Sequence, residues 1–156
     1  MSGVQLLVAG CIVVVALVVA QVVRRRRPDA PTQPARHVPT QLDRRDFVAL
    51  DASAATAPWV VAVFSSATCA VCAQVWSKAQ VLASAEVAVI DVEYGAQREL
   101  HQRYRIDSVP LTLIADAEGV VHEHFLGPMS ATDLWAAVAR VRDPQADPGP
   151  GCQGDR

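Results

Sequence analysis

The sequence predicts an α/β domain, a mixed central β-sheet flanked by helices, preceded by one N-terminal transmembrane helix. Three observations carry this. Val4–Val23 is an apolar run that no charge interrupts. Past a proline-rich stretch, short continuous apolar runs alternate with helix-forming segments, the pattern of parallel strands joined by crossover helices. The last two strand-like runs are parted only by Asp116-Ala117-Glu118-Gly119, which makes their pairing antiparallel and the sheet mixed.

The 156 residues leave room for one ordinary domain with extras, and no second core is expected. A hydrophobic content of 51% and a mean hydropathy of +0.21 are high for a chain with 10 prolines, and the excess lies at the start. A net charge of −2 and a pI near 6.0 argue against nucleic-acid binding as the main task. Of the four cysteines, Cys11, Cys69, Cys72 and Cys152, only Cys69 and Cys72 are close in sequence, so they do not read as a disulfide framework. One isolated C-x-x-C is the feature to explain.

In residues 1–27, the apolar run of about 20 residues spans roughly 30 Å as a helix, the thickness of a bilayer core. Its valines would suit a strand in water, but in hydrocarbon a lone segment must satisfy its own backbone, which favours the helix. Arg24–Arg27 follow the run, whereas a secretory signal carries its positive charge before the apolar core. By the positive-inside rule the N-terminus faces out and the domain faces the cytoplasm, with an extracytoplasmic domain as the alternative. Val8-Ala9-Gly10-Cys11 resembles a bacterial lipobox, but no basic residue precedes it and the apolar run continues past Cys11. Cys11 reads more simply as a small residue inside a membrane helix. Residues 28–39 (PDAPTQPARHVP) read as a semi-extended linker, residues 40–142 as the domain, and residues 143–156, rich in proline and glycine, as a disordered tail.

Within the domain, Thr40–Leu50 leads into a helix with Leu42, Phe47 and Leu50 as its apolar residues. Trp59–Phe64 follows as a strand buried on both faces. Small polar residues then precede Cys69-Ala70-Val71-Cys72, and Ala73–Ala85 is predicted helical, with Val75, Ala79 and Leu82 on one face. Val87–Val92 is a second buried strand, Arg98–Tyr104 a short helix and Leu111–Ala115 a third strand. Val120–Leu126 alternates as an edge strand does. Ser130–Val141 closes the domain as an amphipathic helix, with Ser130 as N-cap and Asp133 completing a capping box.

A C-x-x-C at a strand–helix junction, with Val-Pro before a closing hairpin, resembles the thioredoxin family over roughly residues 40–142. The landmarks are VVAVFSSATCAVC, RYRIDSVPLTLI and the Gly127 turn after the DAEGVV hairpin. The resemblance implies a thioredoxin-like fold and a protein-disulfide oxidoreductase. Cys69 is then the nucleophile, Cys72 the resolving thiol, and the two form the redox disulfide. Pro110 is implied to be cis and to face the pair, leaving the Val109 backbone for a substrate strand. The remaining binding residues are Thr68, Ala70 and Val71 beside the cysteines, and Trp59 with Val63 in their apolar surroundings. Chemically, a thiolate at Cys69 would be favoured by free N–H groups at a helix start, and Cys72 is close enough to attack a mixed disulfide. No cofactor beyond the cysteine pair is implied. The partners are protein thiols or disulfides and an upstream electron donor or acceptor, and the chain is expected to be a monomer.

The sequence also departs from that family. Typical members place Trp before the first cysteine and Gly-Pro between the two, where this chain has Thr68 and Ala70-Val71. They carry a buried aspartate on the preceding strand; alignment through the C-x-x-C puts Val63 there, and Lys78, Asp91 and Glu93 do not obviously replace it. Resolution by Cys72 is then expected to be slower or to use water. A zinc site would need further ligands, and His101, His122, His124 and Cys152 lack ligand-pair spacing except for His122 and His124, which read as polar residues on an exposed edge. Trp76 and Trp135 read as packing or rim residues. The non-enzymatic competitor is a membrane-tethered binding module of the same fold, which would have no need of both cysteines.

Overall fold

The computed structural model describes residues 36–145. The apolar Val4–Val23 run, Arg24–Arg27, most of the proline-rich linker, Cys11 and Cys152 lie outside them. Among the described residues, no helix is long and apolar enough to cross a membrane.

A short helix α1 (Arg44–Val48) begins at the Asp43 N-cap, whose side chain accepts from the Arg45 amide. Leu42 and Phe47 are buried beside it, whereas Leu50, expected to pack, is 37% exposed because the helix ends before it in a turn. The Arg44 guanidinium ties this segment down by donating to the carbonyls of Ala54 and Ala57 at 2.6 Å each. Val38 packs against the core, so the domain's contacts begin before Thr40.

Strand β1 (Trp59–Ser65) is buried along nearly all its length. Helix α2 (Cys72–Ala79) follows, then one 3-10 turn (Gln80–Leu82). The helix predicted to reach Ala85 stops at Ala79 because the chain must turn into β2 (Val87–Glu93), and the Ser84 amide closes that turn onto the Val87 carbonyl. Helix α3 (Arg98–Arg103), strands β3 (Leu111–Ala115) and β4 (Val121–Leu126), and helix α4 (Ala131–Arg142) complete the order. Ser130 caps α4 by accepting from the Asp133 amide.

The sheet order is β2-β1-β3-β4. β1 pairs with β2 in parallel and with β3 antiparallel, and β3 pairs antiparallel with β4. Strand alternation then divides the core in two. Val60, Ala62, Phe64, Ala88, Ile90, Val92, Leu111 and Leu113 face α1 and Tyr104. Val61, Val63, Val87, Val89 and Ile114 face α2 and α4 through Val75, Ala79, Leu134 and Val138. Each fully buried aliphatic or phenyl side chain contributes about 1.5–3 kcal/mol. A mixed sheet covered on both faces by helices fits a thioredoxin-like fold.

Candidate active site

β1 ends at Ser65, and the chain then turns tightly. The Cys69 amide donates to the Ser66 carbonyl, and the Cys72 amide donates to the Cys69 carbonyl. Small residues (Ser65-Ser66-Ala67-Thr68) permit this turn where the strand leaves the sheet. Cys69 therefore lies before the helix, not within its first turn as expected, and Cys72 is the first residue of α2. The reason is the bond closed onto the Cys69 carbonyl, which holds Ala70 and Val71 in a turn.

Cys69 and Cys72 form a disulfide with an S–S distance of 2.07 Å and Cα atoms 5.4 Å apart. Cys69 is half-buried, whereas Cys72 is 3% exposed. Around them Thr68 and Ala70 are exposed and Val71 is half-buried. The Thr68 and Ser66 hydroxyls are 3.1 Å apart, one hydrogen bond across the turn.

The Val109–Pro110 peptide bond is cis. Leu111, the next residue, pairs with Phe64 on β1, so Pro110 stands level with Ser65, at the end of β1 where the cysteine turn begins. Pro110 is buried and its carbonyl accepts from the Gly127 amide at 2.8 Å; Val109 is half-buried. Trp59 does not belong to these surroundings. It starts β1, roughly 20 Å along the strand from Ser65, and its ring packs edge-on against His122, 5.5 Å between centroids.

A cleft of about 230 Å³ opens beside the disulfide, lined by both cysteines, Ser65, Trp76, Asp91 and Glu93, among others. Both carboxylates, which the sequence alone does not obviously connect with the cysteines, line it. Asp91 is the register partner of Val63, one strand across, and the Ser65 hydroxyl donates to its Oδ1 at 2.5 Å. Period-two alternation was the signal available: Val87, Val89 and Asp91 share the face that α2 covers. The Glu93 carboxylate accepts from the amides of Ala67 and Ala96, at 3.0 Å each. Hydrogen bonds from the backbone of Gly95, then Ala67 and Ala96, hold its pKa below the ordinary glutamate value.

The histidines lie elsewhere. His101 is buried, with Nε2 2.8 Å from the Val92 carbonyl and its ring between Phe64 and Tyr94. His122 pairs with Asp116 at 2.6 Å, and His124 is exposed on β4.

No protein-family model matches the chain, and no curated protein sequence does. Solved structures are similar in fold. A designed protein is 22% identical, with 70% of this chain and 95% of that one covered and a TM-score of 0.51. A thioredoxin from Halobacterium salinarum is 23% identical over 55% of this chain and 75% of its own, with a TM-score of 0.47. StoA from Bacillus subtilis is 17% identical over 53% and 84%, with a TM-score of 0.44. At these identities the likeness bears on fold alone.

Proposed function

We propose that this chain is a thiol–disulfide oxidoreductase acting on protein disulfides at a membrane through Cys69 and Cys72. The observation that carries the reading is the asymmetry of the pair. One sulfur is half-exposed in a turn at the end of β1, its disulfide partner is buried at the start of α2, and a cleft opens beside both. In the reduced chain, Cys69 attacks a substrate disulfide as the thiolate, since it is the sulfur that a second protein can reach. Cys72 then attacks the mixed disulfide, releasing the substrate thiol and restoring the Cys69–Cys72 bond. The reverse sequence oxidises a substrate dithiol.

Thr68, Ala70 and Val71 form the rim that a substrate meets, and Val109 with Pro110 borders it from the start of β3. The uncharged Val4–Val23 run tethers the domain, and Arg24–Arg27 orient it toward the cytoplasm, where the thiols would be kept reduced. An upstream dithiol donor completes the cycle. The test is reduction of a disulfide-bonded peptide by the full chain in detergent, with dithiothreitol as electron source. Turnover above the dithiothreitol background supports the reading. A rate equal to background overturns it and leaves a tethered binding module.

A further inference from the structure

We propose that a second cleft, lined by His37, Arg103 and Arg105, takes the phosphate of an anionic lipid headgroup and holds the domain against its membrane with the cysteines directed away; this deepens the tethered reading and rests on it. The cleft holds about 200 Å³, and Pro39, Thr40 and Tyr104 help to complete it. No Asp or Glu lines it.

Its cations are available to an anion. Among the described residues, the Arg105 guanidinium has no hydrogen-bond or ion-pair partner, and neither has that of Arg36, exposed one residue before His37. Arg103 donates from Nη1 to Asp46 at 2.6 Å, yet its side chain is 58% exposed. The neighbouring carboxylates are already engaged. Asp46 accepts from Arg103 and from the Tyr104 hydroxyl, and Asp43 accepts from the Arg45 amide. Arg105 is also an unusual residue for its place. It stands just past α3, where the Ile106 amide donates to the His101 carbonyl, and its φ is +51°. Glycine is the usual residue at such a helix end, because a side chain strains the left-handed backbone. Here the strained position carries a cation to the cleft.

Two observations point to a membrane as the partner. The domain is acidic: residues 36–145 hold nine Lys and Arg against thirteen Asp and Glu, a net −4 with the histidines neutral. An anionic surface therefore repels it except where cations cluster. The cleft also lies where the chain enters the domain. Only residues 28–35 separate Arg27 from Arg36, and so short a stretch spans at most about 30 Å, which keeps the cleft within reach of the headgroups beside Arg24–Arg27.

The sheet then sets the orientation. The Val121 amide donates to the Thr40 carbonyl, and Val121 lies level with Ala115 on β3, which lies level with Val60 on β1. Ser65, where the cysteine turn begins, is at the other end of β1, roughly 17 Å away. A headgroup in the cleft holds the Val60 end down and leaves Cys69 facing disulfides outside the bilayer.

The experiment places the full chain in nanodiscs of phosphatidylcholine, with or without 30% phosphatidylglycerol, each containing a nitroxide-headgroup lipid, and reads amide resonances. At low salt in the anionic discs, the Thr40 and Arg105 amides are expected to lose at least half their intensity while Ala70 keeps its own. The loss should vanish in neutral discs and in 0.5 M sodium chloride. Arg105→Gly removes the cation and suits the left-handed backbone, so it should fold and restore most of the intensity. Equal broadening in neutral and anionic discs, or in wild type and Arg105→Gly, overturns the headgroup site and leaves the tether standing. Broadening at Ala70 in place of Arg105 overturns the orientation and the site together. A response of these resonances to inorganic phosphate without broadening in anionic discs makes this a site for a soluble anion and overturns the docking. A full chain that does not enter the discs overturns the tether, and this inference with it.

Discussion

The Glu93 carboxylate accepts a hydrogen bond from the Ala67 amide at 3.0 Å, fastening the turn that carries Cys69 to the end of β2. Its other oxygen takes the Ala96 amide, so one side chain bridges two backbone segments. The turn before Cys69 makes few other ties: a bond from the Cys69 amide to Ser66 and the small bonds between Ser66 and Thr68.

That bridge predicts a pH dependence. The folded-state pKa of Glu93 is depressed, so its contribution is fully present above the unfolded value and is lost as pH falls through the folded value. The Ala67 amide resonance should hold steady at neutral pH and move at acid pH, below the ordinary glutamate range. In Glu93→Gln the step should vanish and the turn should be less protected from hydrogen exchange at every pH. An acid step of the same size in both proteins would refute the bridge.

Gly119 closes the β3–β4 turn with φ +82°, its carbonyl accepting from the Leu42 amide, and a β-carbon there would overlap the Leu42 carbonyl oxygen. Both the backbone conformation and the space exclude a side chain. Gly119→Ala is expected to lower unfolding free energy by about 1–3 kcal/mol, measured by urea titration. A change under a few tenths would show that the segment around Leu42 yields freely.

Thr112 is fully buried, and its hydroxyl has no hydrogen-bond partner among the described residues. An unsatisfied buried hydroxyl costs about 1–3 kcal/mol, and valine has nearly the same shape. Thr112→Val should therefore raise the denaturation midpoint. A loss of stability would reveal a partner for that hydroxyl, such as an ordered water.

Strands were legible because their apolar runs are continuous: Trp59–Ser65 and Leu111–Ala115 are buried nearly throughout, and the sequence marked both within one residue. The C-x-x-C was legible from spacing, and its disulfide was implied by the resemblance to the thioredoxin family. Helix ends were not, since α2 stops at Ala79 for a tertiary reason, the turn into β2, while Ala83 and Ala85 keep good helix propensity. Trp59 was misplaced because aromatic character says nothing about which end of a strand meets the site. Asp91 was weighed in the sequence, but its place in the cleft was not legible, for a related reason. Its relation to the cysteines runs sideways through the β1–β2 register, from Val63 across to Asp91, and register is set by packing between strands that lie far apart in the chain.

The tether makes a separate prediction. If Arg24–Arg27 hold the domain on the cytoplasmic side, a membrane-impermeant maleimide should label the reduced Cys69 only after cells are lysed. Labelling in intact cells would reverse the orientation.

The central claim is that Cys69 attacks and Cys72 resolves. The most direct measurement is disulfide-peptide reduction by the full chain, by Cys69→Ser and by Cys72→Ser, with the covalent adducts weighed by mass spectrometry. The account predicts no adduct and no turnover for Cys69→Ser, and a persistent mixed disulfide on Cys69 for Cys72→Ser. Turnover by Cys69→Ser at the wild-type rate would contradict it.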